Sequence, residues 1–128
     1  MQSFPNALEN LLTPEECAQI DQTLLPTRDR FAMRISIYAW RYLQQVGAQI
    51  GVPMVELTPE QIHDALQADP MLQTEAGMDE AFVDWFSHLL VSALGSLTKI
   101  AAQFDTAMEG LSFEQIVNWF VEQFNGTP

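Results

Sequence analysis

Three stretches of this chain are written almost alike: Leu12-Thr13-Pro14-Glu15-Glu16, Leu57-Thr58-Pro59-Glu60-Gln61 and Leu111-Ser112-Phe113-Glu114-Gln115. Each reads as a helix start. Thr or Ser at the cap accepts a hydrogen bond from the first turn, and Glu or Gln three residues later reaches back to the cap's own N–H. Proline at the first helical position loses nothing, because its missing N–H has no helical partner there. Glu in the first turn meets the positive end of the helix dipole. The preceding leucine is placed for a hydrophobic staple. Beyond the caps the three copies do not align, so they are capping boxes rather than units of a repeat. A chain that opens helices so explicitly is committed to a helical architecture.

The apolar pattern agrees. Phe82, Phe86, Leu90, Ala93, Leu97, Ile100, Phe104 and Met108 recur every three or four residues, one stripe of an amphipathic helix. The stripe predicts a helix over 78–109, about 45 Å long, ended by Gly110. Gly95 falls inside it and predicts a kink or a close helix crossing. Without a bend there, the ends of such a helix would have to pack on another chain. Residues 28–50 differ. Phe31, Ile35, Tyr38, Tyr42, Val46 and Ile50 fill one side of the wheel, while Met33, Ile37, Trp40 and Leu43 point elsewhere. A helix apolar nearly all round is a buried one, with Thr27 placed as its cap.

Further helices are predicted over 14–25 (Cys17, Ile20 and Leu24 on its apolar face), 59–67 and 113–124. A short turn or helix is predicted at 6–12, and another between Asp69-Pro70 and Gly77. An extended link joins Gly51 to Thr58. The expectation is an all-α, single-domain bundle of five or six helices over 1–128, two of them long, with 1–12 and 126–128 as loosely ordered ends.

Charge narrows the partners. The chain carries 17 carboxylates against five Lys and Arg, a net charge of −12. Neutralising nucleic-acid phosphates or an anionic lipid surface takes clustered cations, so neither nucleic acid nor membrane is an expected partner. The single cysteine, Cys17, excludes an intramolecular disulfide and fits a reducing cytoplasm. The first residues show no signal-peptide pattern.

All four arginines, Arg28, Arg30, Arg34 and Arg41, nevertheless lie in one stretch of the most apolar helix. On a helical wheel Arg30, Arg34 and Arg41 fall within about 40° of one another. Guanidinium forks suit phosphate or carboxylate, and Tyr38, Trp40 and Tyr42 could stack beside them. Three readings stay open: internal pairing, with Asp79, Glu80 and Asp84 as candidate acids; an interface to an acidic partner or a second copy; and an anion site.

Glu80, Asp84 and His88 share one helix face and are weak metal candidates; the alternative is a solvated face opposite the Phe/Leu stripe. Glu60-x-x-His63 has the spacing of a diiron ligand pair, but only one such motif occurs. His63-Asp64 is the dipeptide of metal-dependent HD phosphohydrolases, but no histidine precedes it. No glycine-rich phosphate loop occurs and no cofactor is implied. The expected function is therefore non-enzymatic: protein–protein interaction or regulation through helix surfaces, with a homodimer or another protein as partner. The low charged fraction, 17%, favours the homodimer, because it leaves limited polar surface to cover a monomer. The alternative is a small anionic-ligand binder, or an enzyme on such a ligand, built on the arginine row.

Overall fold

The computed structural model describes residues 12–69 and 80–125. All three capping boxes form. The backbone N–H groups of Glu16, Gln61 and Gln115 donate to Thr13 Oγ1, Thr58 Oγ1 and Ser112 Oγ at 3.1 Å. The cap N–H groups donate back to Glu16, Gln61 and Gln115 at 3.0, 3.0 and 2.9 Å. Each cap contributes about 1 kcal/mol.

The described residues form five helices: α1 Pro14–Asp21, α2 Thr27–Ile50, α3 Pro59–Ala68, α4 Glu80–Gln103 and α5 Phe113–Asn125. Short 3-10 turns lie at Met54–Glu56 and Met108–Gly110, and no strand occurs among the described residues. The two long helices pack on each other; α3 lies on both, α5 packs on α2 and α4, and α1 lies against α2. The core is common to all five helices. Ile20 of α1, Ile37 and Leu43 of α2, Ile62 and Leu66 of α3, Phe86 and Leu97 of α4 and Ile116 of α5 are all buried. This is the expected all-α bundle with two long helices. By length and composition α4 could also cross a membrane, but its stripe from Phe82 to Ile100 is turned into the bundle.

Helix ends depart from the sequence reading for local reasons. α1 stops at Asp21, not near Leu25, because Thr23 caps it: its N–H and its hydroxyl both donate to the Ile20 carbonyl, at 3.2 and 2.7 Å. Leu24 then adopts a left-handed φ of 61° and stands 88% exposed, while Leu25 enters the core in its place. Thr27 is not the cap of α2. Pro26 holds that position without a side-chain bond, and its carbonyl accepts from Asp29 and Arg30.

The Gly51–Thr58 link is not extended throughout. Met54 is buried, and its N–H donates to Glu109 Oε2 at 2.8 Å, which folds Met54–Glu56 into a turn. α4 ends at Gln103, roughly 35 Å along the axis from Glu80 at 1.5 Å per residue. Asp105 takes a left-handed φ of 53°, and the Thr106 N–H closes the end by donating to the Ala101 carbonyl at 3.0 Å. An aspartate here does what a C-terminal glycine usually does. The helical segments expected at 6–12 and 70–77, the start at Met78 and the ends at 1–12 and 126–128 lie outside the described residues, apart from Leu12.

Trp40 ties the centre to the α4–α5 link. It is buried, and its Nε1–H donates to the Met108 carbonyl at 2.9 Å. Trp40→Phe keeps the aromatic contacts and removes one of the two hydrogen bonds that carbonyl accepts, the other coming from the Leu111 N–H. The expected loss is about 0.5–1.5 kcal/mol, read from the urea midpoint at unchanged slope.

Candidate functional site

The arginine row faces α1. The Pro26 turn lays α1 antiparallel on α2, so acids successively farther from the turn meet arginines successively farther along α2. Arg34 Nη2 donates to Asp21 Oδ1 at 2.9 Å, and Arg30 Nη1 approaches the same oxygen at 3.6 Å. Arg41 forks onto Glu16, Nη1 to Oε1 at 2.6 Å and Nη2 to Oε2 at 2.7 Å. Its guanidinium carbon also lies 5.4 Å from the Trp40 ring centroid and 5.9 Å from that of Phe113. One arginine therefore joins α1, α2 and the start of α5.

The acids in these pairs are Glu16 and Asp21, not those proposed on the long helix. Glu80 makes no ion pair among the described residues, Asp84 serves His63, and Asp79 lies outside the described residues. Arg30 is the most loosely held of the row. Its Nη2 lies 3.4 Å from Thr27 Oγ1, and its Nε is buried without a hydrogen-bond partner among the described residues.

The Arg41 hydrogen bonds hold the Glu16 carboxyl below its ordinary value, against the opposing effect of burial. Folded Glu16 thus releases its proton at lower pH than unfolded Glu16. The stabilisation is fully present above the unfolded value of about 4.5 and is lost as pH falls through the folded value. Glu16→Gln keeps a capping side chain and removes the charge. It is expected to be less stable than wild type by about 1.5–3 kcal/mol at neutral pH, with the gap closing in acid. Urea titrations of both proteins from pH 7 to about pH 3 check this; a gap that is constant with pH would contradict it.

The aromatic candidates are also engaged within the fold. Tyr38 is buried. Tyr42 is buried and donates its hydroxyl to Asp69 Oδ2 at 2.9 Å, tying α2 to the end of α3. Burial and the Asp69 carboxylate together push that hydroxyl far above its ordinary value, so it stays a donor. Trp40 serves the α4–α5 link as described. Gln44, which sequence reasoning passed over, joins it there: its Nε2 donates to the Glu109 carbonyl at 3.2 Å.

Glu80, Asp84 and His88 are exposed on α4 and do not converge. His88 Nδ1–H donates to the Asp84 backbone carbonyl at 2.7 Å, while the Asp84 carboxylate accepts from His63 Nε2 of α3 at 2.6 Å. Among the described residues no three His, Cys, Asp or Glu side chains are grouped to hold a metal ion. Cys17 is half-buried, with Arg34 Nη1 at 3.9 Å from its sulfur. Arg34, Arg41, Tyr42, His63 and Trp40 thus serve as tethers: α1 to α2, α2 to the end of α3, α3 to α4, and α2 to the α4–α5 link.

No curated protein and no solved structure matches the chain. Residues 12–126 match the model of a family described as NDH complex assembly factor CRR9. The match takes in every described helix from α1 to α5, and the chain belongs to the NDH complex assembly factor CRR9 family.

Proposed function

We propose that this protein is a non-enzymatic assembly factor that binds other proteins through its helix surfaces while an NDH complex is put together. The observation that carries the reading is the family match over residues 12–126, which takes in every described helix. The geometry supports it. Arg34, Arg41, Trp40 and Tyr42 are spent on holding helices together, which leaves helix faces as the means of contact. Trp85 stands half exposed on α4, a residue type that anchors protein interfaces.

An affinity-tagged chain recovered from cells that make an NDH complex is expected to bring down its subunits in incomplete assemblies. Recovery of no such subunit, or of the finished complex alone, would overturn the reading. Self-association is part of the proposal, given how few charges cover the surface. Light scattering that reads a single-chain mass at high concentration would remove that part.

A further inference from the structure

A cleft of about 500 Å³ lies between the C-terminal half of α2 and α3. α2 lines it with Gln45, Val46, Gln49 and Ile50, which follow Tyr42 at three- and four-residue spacing, one side of a helix. α3 faces them with Gln61, Asp64, Ala65 and Ala68 at the same spacing. The space exists because α3 presents alanines there; larger side chains at 65 and 68 would close it.

The floor is apolar. Val46 is buried, Ala65 packs against the core, and Ile50 stands 48% exposed. The rim carries amides and the carboxylates of Asp64 and Asp69, the latter bonded to the Tyr42 hydroxyl, and no cation is among the described residues that line the cleft. Asp64 makes no ion pair among the described residues. The chain's positive charge is placed elsewhere. Arg30, Arg34 and Arg41 face α1, Arg28 lies in the first turn of α2, and Lys99 lies in the last turns of α4.

A cleft between two helices, apolar below and lined at helical spacing, fits the apolar face of a third helix. Its acidic rim, on a chain of net charge −12, selects the sign of what flanks that face. We infer that the α2–α3 cleft docks an amphipathic helix of a partner protein whose polar edge carries Lys or Arg. The inference rests on the protein-binding reading above and names its surface and its chemistry.

The probe is a labelled synthetic peptide of roughly 18 residues, five helical turns, with Leu and Ala on one face and Lys on the other. A shuffled peptide of equal composition and charge cannot form that face. In fluorescence anisotropy the ordered peptide is expected to bind at least about tenfold tighter than the shuffled one. Asp64→Lys and Ala68→Trp, both at exposed positions, are each expected to weaken it about tenfold while circular dichroism stays helical. Amide NMR shifts in the wild-type protein are expected to concentrate at 42–50 and 61–69.

No binding of the ordered peptide, equal binding of the shuffled one, shifts centred elsewhere, or indifference to both substitutions would each overturn the inference. Its failure is separable from failure of the assembly reading. A tagged chain carrying both substitutions that still recovers NDH subunits like wild type removes the cleft and leaves the assembly reading standing. A wild-type chain that recovers none removes the assembly reading itself.

Discussion

Replacing Phe86 by alanine is expected to lower stability by about 3–5 kcal/mol. Phe86 is fully buried near the start of α4. Its ring stacks on Phe82 with centroids 5.6 Å apart and an interplanar angle of 17°, and Trp85 approaches at 6.3 Å. Truncation removes the transfer energy of a whole ring and leaves a cavity between helices already fixed by other contacts. A domain of this size is stable by about 5–15 kcal/mol, so the variant would stand near the edge of folding. Urea unfolding followed by far-UV circular dichroism reads the shift. A loss under about 1 kcal/mol would mean that the α4 stripe is not the centre of the core.

The second large effect is a contrast of sign between two helical glycines. A Cβ at Gly47 would lie 2.5 Å from the Val52 carbonyl oxygen. There the chain turns back over α2: Gly51 takes a left-handed φ of 74°, and the N–H groups of Gly51 and Val52 both donate to the Gly47 carbonyl. The obstacle is backbone held by its own hydrogen bonds, so it cannot swing aside. Gly47→Ala is expected to destabilise by about 1–3 kcal/mol, although alanine is the better helix former by about 1 kcal/mol. At Gly95 a Cβ would meet nothing within 4 Å, so Gly95→Ala is expected to stabilise by up to about 1 kcal/mol. Thermal melts of the two variants side by side test both signs. Equal shifts in the same direction would contradict the account of the turn.

The same pair shows where sequence reasoning reached and where it stopped. Gly95 interrupts an apolar stripe and so invites a close crossing, but the structure places the close approach at Gly47, whose role depends on a turn five residues later. Local signals were legible. Thr13, Thr58 and Ser112 cap as their spacing dictates, and the stripe from Phe82 to Ile100 is buried as its period dictates. Helix 27–50 is buried on most sides, as its all-round apolar residues imply.

What was not legible depended on which helices meet. Arg30, Arg34 and Arg41 do share a face, but a wheel says nothing of what lies opposite. Only the antiparallel return of α1 brings Asp21 and Glu16 there. Tyr42 with Asp69, and His63 with Asp84, are likewise contacts between elements with no spacing rule to announce them. The end of α4 at Asp105 escaped because an aspartate, not a glycine, takes the left-handed position. The acidic composition remains informative through the arrangement of what little positive charge there is. The cations are concentrated on the α1 side of α2, and the α2–α3 cleft is left with carboxylates and amides.

The most direct measurement of the central claim is the level of assembled NDH complex in cells that lack this chain, resolved on a native gel. The proposed role as an assembly factor predicts that the finished complex falls and incomplete assemblies accumulate. Wild-type chain is predicted to restore it, and chain carrying Asp64→Lys with Ala68→Trp is not. A complex that assembles to its normal level without the chain would contradict that role.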